Sequence, residues 1–393
     1  MASYTALLAG KIFNGPELEV MRHACVILRD GVIEKILPQA AFLSEPHDQC
    51  ELVDLGNLTL MPGMIECHNH AGMDARLPGH LEMMEGSECE LTVTAVKTLQ
   101  DDLLSGVTTA RCMGDRHYLD IKLRKEIQRN RLIGPNLLCA GIGMRCIHGH
   151  GFVGMAHSGP EEFRRTAREN MLQGADLLKI FATPGMPPIS GSFIPHFLTR
   201  EEIRTVVEEA AGKNLPVASH CIGGQGLVDC VEEGVDVIEH AYCIDDAGLD
   251  LVTKYDCWLD LTSGILLDPS REEFLSPAGA DCCRRTRDAA FSCMEKVMKS
   301  GVKFALGTDA YHGLLYREAE YAVQCGASSL NAVKGVTVNA AKMCRIDQRT
   351  GSIQPGLAAD LIAVDGDPLE DISALRQVAF VMKQGQIFKK TIL

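Results

Sequence analysis

The chain has 393 residues, 46% of them hydrophobic and 23% charged, and 38 basic against 52 acidic side chains give a net charge of −14. This composition excludes a disordered chain, and 37 glycines without a three-residue period exclude a collagen-like one. The acidity, with no basic stripe, predicts no nucleic-acid partner; no apolar run reaches the ~18–20 residues that span a bilayer, which predicts no membrane partner.

Residues 6–15 read as a strand closing on a turn. Residues 24–28 and 32–37 read as a hairpin around Asp30-Gly31, and 51–55 as a further strand. From there the pattern alternates strand and helix. Short apolar runs fall at 59–66, 107–113, 136–141, 176–181, 216–220, 235–240, 257–262 and 302–308. The segments between them have helical periodicity, clearest over 200–213, where Thr199 and Glu202 make a capping pair; 161–173 and 284–299 are similar. Near the end, 359–366 reads as a strand and turn and 378–388 as a hairpin. The fold class expected is α/β: a (β/α)8 TIM barrel over 59–344, and a small β-sandwich built from both termini, 1–58 plus 345–393. A doubly wound open sheet alternates in the same way and is the rival architecture.

Sixteen cysteines contain no Cys-x-x-Cys, and only Cys282 and Cys283 are adjacent. Residues Met1 to Gly15 lack the basic-then-apolar pattern of a secretory signal. Free thiols in a reducing compartment, and so a cytoplasmic location, are expected.

The chemistry lies where the strands end. The first barrel strand closes on His68-Asn69-His70; later ones carry Lys179, His220, His240 and Asp309. In a barrel these ends meet on one face. His68 and His70, two apart on an extended segment, project to the same side. Imidazoles with a carboxylate suit zinc, iron or another divalent ion. Singly, each residue has a plainer role: a hydrogen-bonded core histidine, a snorkelling lysine, a helix-capping aspartate.

Several motifs carry a resemblance over nearly the whole chain. They are Met61-Pro62-Gly63-Met64-Ile65-Glu66-Cys67-His68-Asn69-His70, Gly106-Val107-Thr108-Thr109-Ala110-Arg111, Leu178-Lys179-Ile180-Phe181, Ile238-Glu239-His240, Gly307-Thr308-Asp309 and Gly356-Leu357-Ala358-Ala359-Asp360-Leu361. With them the sequence resembles the amidohydrolase superfamily, in the branch of imidazolonepropionase-like and Xaa-Pro or Xaa-Arg dipeptidase-like proteins. The resemblance implies two divalent metal ions, zinc first among the candidates. His68, His70 and Asp309 would bind one and His220 and His240 the other, with Lys179 bridging both as an N-carboxylated lysine (from CO2). It further implies that a hydroxide held by the ions cleaves an amide bond of a small substrate, a dipeptide or N-acyl amino acid. Asp309 would be the proton carrier, and His150 and Tyr242 would contact substrate, Tyr242 at the developing oxyanion. A cyclic amide such as a lactam or imidazolone is the alternative substrate. A deaminase is disfavoured, because Gly223 stands three residues after His220 where deaminases carry Glu. A non-catalytic barrel protein would be expected to have lost ligands. Arg111 and Arg145 are further candidates to meet a substrate carboxylate, or to pair with acids such as Asp115.

Two departures from the branch bear on specificity. Arg111-Cys112 stands where Arg-Asp is common, and the loop from Thr183 to Phe193 replaces an acidic one. Gly141-Ile142-Gly143 and Gly223-Gly224-Gln225-Gly226 lack the context of a dinucleotide site. Barrels of this kind often form homo-oligomers, and no sequence feature sets the number of subunits.

Overall fold

The computed structural model describes residues 4–44, 50–151, 153–188 and 193–391; Met1 to Ser3 and Ile189-Ser190-Gly191-Ser192, quoted above, lie outside the described residues. Strand β1 (Tyr4–Asn14) pairs antiparallel with β2 (Glu19–Arg29), which turns into β3 (Val32–Pro38). Asp30 and Gly31 hold φ of 49° and 79°, the left-handed pair whose twist suits a two-residue hairpin. Strands β4 (Cys50–Asp54) and β5 (Thr59–Pro62) run parallel to β1 on its other side.

At Gly63 the chain changes sheet. A Cβ there would overlap the Thr108 side chain, and the Gly63 N–H donates to the Asp360 carbonyl at 2.9 Å. The run expected as one strand over 59–66 is therefore two, because β6 (Met64–Asn69) pairs parallel with a different neighbour, β7 (Val107–Cys112). With β8 (Asn136–Cys139) these form a three-stranded sheet. Two short strands not foreseen, β9 (Met144–Cys146) and β10 (Met155–His157), open a second parallel sheet. It continues through β11 (Leu178–Phe181), β12 (Val217–Gly223), β13 (Val237–Cys243), β14 (Trp258–Leu261) and β15 (Phe304–Leu306), in the order β10-β9-β11-β12-β13-β14-β15. The two parallel sheets touch at both edges: Asp176 N–H donates to Cys139 O at 2.8 Å, and Asp309 N–H to His68 O at 2.9 Å.

Strands β16 (Leu361–Val364), β17 (Val378–Lys383) and β18 (Gln386–Lys390) return to the first sheet, β16 pairing antiparallel with β5. Its order is β18-β17-β16-β5-β1-β2-β3, with β4 on β1, eight strands in all. The two chain ends thus share one sheet; two stacked layers are not shown.

Helices cover the parallel strands. Arg200–Ala211 opens on the expected capping box of Thr199 and Glu202, and Pro160–Gln173 and Pro277–Ser300 lie near the other two expected helices. Strand β12 and all but the last residue of β13 are buried, as befits strands in a parallel sheet covered on both faces. All sixteen cysteines are free thiols. Among the described residues no helix is long and apolar enough to cross a membrane.

Candidate metal centre

The parallel strands bring four predicted imidazoles into ring contact. His68 lies 5.4 Å from His70 and 4.7 Å from His240, and His240 lies 4.5 Å from His220, centroid to centroid. Asp309 Oδ1 sits 3.6 Å from His68 Nε2 and 3.4 Å from His70 Nε2, close enough for these three residues to hold a cation.

Each ring is oriented by a hydrogen bond on its other nitrogen. His68 Nδ1 meets Glu239 Oε2 at 2.7 Å, His70 Nδ1 meets the Gly114 carbonyl at 2.8 Å, His240 Nδ1 meets Thr262 Oγ1 at 2.8 Å, and His220 Nε2 meets the Pro184 carbonyl at 2.9 Å. Partners of this kind set tautomer and aim in histidines that bind metals. Burial disfavours the charged form of all four rings; it takes His70 down to about 4 and the others well below the usual histidine range. Neutral imidazole is the form with an electron pair to give.

Lys179 is fully buried, and its Nζ, 5.1 Å from the centre of the Phe181 ring, has no hydrogen-bond partner. Burial lowers its pKa to about 8, against the pull of Glu239 and Asp309. An orphaned buried amine is costly. Its charge depresses the titration of His68, His70, His220 and His240, so it sits within electrostatic reach of each. Burial raises the Asp309 carboxyl to about 6.

Two of these positions have left-handed backbone: φ is 76° at His240 and 52° at Ala241, 56° at Asp309 and 67° at Ala310. Strain of this kind concentrates at functional sites. Gly307 is needed for the approach of β15 to β6, since a Cβ there would stand 2.5 Å from His68 N.

His150 stacks 4.6 Å from His220 and lies over Gly185, where a Cβ would meet its Cε1 at 2.5 Å. Burial takes it down to about 4. It therefore borders the cluster. Tyr242 also borders it, 5.4 Å from the His240 ring, but its hydroxyl is engaged by Thr262 Oγ1 at 2.6 Å and the Thr262 carbonyl at 3.1 Å. Arg111 pairs with acids other than Asp115. It is buried behind His68, donating to Cys67 O at 2.6 Å, to Glu239 at 2.8 and 3.0 Å, and to Asp260 at 3.0 Å. Arg145 holds the carbonyls of Cys146, Ile147 and Gly149.

Glu239, Asp260 and Thr262 escaped the sequence reading as working residues. Burial alone would raise Glu239, but Arg111 and Lys179 outweigh it and lower it; burial, then Glu239, push Asp260 well up. The signal was an acid and a hydroxyl inside the apolar run of 257–262.

Residues 59–388 match the amidohydrolase family. The chain belongs to this family. It is similar to ochratoxinase from Aspergillus niger, 26% identical over 99% of this chain and 87% of that one. It is likewise similar to an imidazolonepropionase from Pseudomonas savastanoi pv. phaseolicola, 24% identical over 90% of each. A solved Xaa-Pro dipeptidase with methionine in its active site superposes with a TM-score of 0.87 at 27% identity, covering 98% of this chain and all of that one. These relatives place the chain in the branch expected from its motifs, among hydrolases that act on C–N bonds.

Proposed function

We propose that this protein is a binuclear metal-dependent hydrolase that cleaves an amide bond of a dipeptide or N-acyl amino acid. The two parallel sheets would close into one (β/α)8 barrel through the edge contacts at Cys139 and His68. One observation carries the reading: four imidazoles and Asp309 cluster within electrostatic reach of a buried lysine amine that has no hydrogen-bond partner.

The donor set fits two divalent ions, zinc first. His68, His70 and Asp309 would hold one, and His240 Nε2 and His220 Nδ1 the other. Lys179 would bridge them after its neutral amine adds CO2: a C–N bond forms, one N–H proton leaves to solvent, and a carboxylate replaces the orphaned donor. Bound there, the ions supply Lewis-acid activation of a water and of the scissile carbonyl. Asp309, raised towards neutrality by burial, would take the proton of the attacking water and deliver it to the leaving nitrogen. His150, at the rim, would orient the substrate. The free thiols support a reducing, cytoplasmic location.

A cyclic amide is the second reading, favoured by the similarity to imidazolonepropionase. The test is a hydrolysis screen of zinc-loaded protein in bicarbonate against dipeptides, N-acyl amino acids and cyclic amides, following free amine and ammonia separately. Release of an amino acid is expected, and should vanish on chelation and return with metal. Ammonia alone would mean deamination, and silence on the linear substrates would remove the dipeptidase assignment.

A further inference from the structure

Three of the four imidazoles hand their ring proton to a group that can only accept: the Glu239 carboxylate, the Gly114 carbonyl and the Pro184 carbonyl. Their tautomers are fixed without further help. His240 alone faces a hydroxyl, Thr262 Oγ1, at 2.8 Å. A hydroxyl accepts or donates, so this contact leaves two tautomers open. If Thr262 donated to Nδ1, the proton of the neutral ring would sit on Nε2, and His240 would offer no electron pair to a cation.

The third group is Tyr242. Its hydroxyl lies 2.6 Å from Thr262 Oγ1 and 3.1 Å from the Thr262 carbonyl. The carbonyl can only accept, so the proton in that contact is the tyrosine's. The shorter contact is then served by the threonine's own proton, given to the tyrosine oxygen. Oγ1 is left with lone pairs only, and the proton between it and His240 must belong to Nδ1. The reverse chain gives up the Tyr242–carbonyl contact and leaves the Thr262 carbonyl to Ile265 N–H alone, at 3.2 Å.

We propose that Tyr242 is a positioning residue and not an oxyanion donor: acting through Thr262, it holds His240 as the Nδ1–H tautomer, with Nε2 bare for the second ion. The inference rests on the binuclear reading above and gives Tyr242 a role through its two hydroxyl contacts with Thr262.

The test needs metal affinity as well as turnover. Zinc binding at the weaker site is measured by chelator competition in bicarbonate, for wild type, Tyr242→Phe, Thr262→Val, Thr262→Ser and the Phe/Val double variant. Loss of an outer partner of a metal-binding histidine typically weakens the metal by about 10–100-fold. Tyr242→Phe and Thr262→Val should each do so, the double variant should be no worse than the poorer single one, and Thr262→Ser should keep the ion. An oxyanion donor would behave otherwise: Tyr242→Phe would lose kcat with zinc affinity intact, and that result overturns the proposal. The tautomer is read directly from ring 15N shifts of histidine-labelled, metal-free wild type, where His240 should be protonated on Nδ1; protonation on Nε2 overturns the proposal whether or not the variants fold. Absence of stoichiometric zinc in wild type would instead sink the binuclear reading and this inference with it.

Discussion

Arg111 is the residue whose removal should reveal what holds His68 in place. Its guanidinium meets Glu239 at 2.8 Å and Asp260 at 3.0 Å, and all three side chains are buried. Arg111 serves both carboxyls, of which Glu239 is held low by it and Asp260 is pushed well up by burial. Arg111→Met keeps the volume close but leaves the Glu239 carboxylate with Lys179 as its remaining nearby amine charge. Removing one partner of a buried pair costs about 3–5 kcal/mol. An unfolding entropy of about 2.1 cal/mol/K per residue over 393 residues gives about 0.8 kcal/mol/K, so the midpoint should fall by about 4–6 °C. The assay is calorimetric melting of metal-free protein, which keeps metal linkage out of the comparison. Its pH dependence carries a sign. Burial would raise Glu239, yet Arg111 and Lys179 depress it, so its favourable contribution is present above the unfolded value of ~4.3 and lost as pH falls through the folded one. In Arg111→Met the main lowering influence is gone and burial raises the carboxyl, which can take up a proton as the pH falls; the deficit of the variant should be smaller at pH 5 than at pH 8. A midpoint within about 1 °C of wild type at pH 8 would refute the pairing described here.

Lys179→Met should separate stability from function: by deleting an orphaned buried amine it should hold or raise the metal-free melting midpoint, by up to ~1–3 kcal/mol, while zinc stoichiometry falls below two and turnover is lost. A variant that melts lower yet still binds two ions would count against the bridging role. Gly307→Ala must push a Cβ against the His68 backbone; a loss of ~1–3 kcal/mol should come with weaker zinc binding, and unchanged zinc affinity would show that His68 does not depend on this approach. His312 places Nδ1 on Asp102 at 2.8 Å and Nε2 on the Met73 carbonyl at 2.7 Å; burial opposes its charge, but Asp102 outweighs burial and the pKa is raised. Its stabilising effect is complete below the unfolded value of ~6.5 and lost as pH rises through the folded one. Wild-type melting should decline on the alkaline side more steeply than that of His312→Asn, and parallel curves would exclude the ion pair.

The ends of the strands were the legible part of this chain. His68, His70, Lys179, His220, His240 and Asp309 each close or follow an apolar run, and polar residues in such places stand out against the hydrophobic period. The change of sheet at Gly63 was not legible, because β5 and β6 form one continuous apolar run and only the Thr108 side chain says where it must break. Strands β9 and β10 have three residues each, too few to show a period. Glu239 was visible, but as a neighbour of His240 in a motif; its work depends on Arg111, which lies 128 positions away. Tyr242 lies beside the His240 ring, and its hydroxyl meets Thr262, just past the end of the adjacent strand, a pairing that no one-dimensional pattern contains.

The features that fit this site for a metal are also those that a stable core would avoid. The β12–β13 ladder shifts register where Cys221 and Gly223 face His240 and Cys243, beside two left-handed residues. A shift of this kind re-aims side chains at the end of a strand, and here His240 and Tyr242 both reach one threonine. Asp309 and Ala310 repeat the left-handed pair two strands away. Such residues cost on the order of 1–3 kcal/mol each, and the orphaned Lys179 amine adds to them. The apolar clusters around the parallel strands offset that cost at the other end of the same elements, where Ile65, Ala218, Val237 and Ala305 pack with Met343 and Ile346. Strand by strand, the beginning supplies packing and the end carries chemistry. Substitutions at the ends should therefore change metal binding before they change the fold, and those at the beginnings should do the reverse.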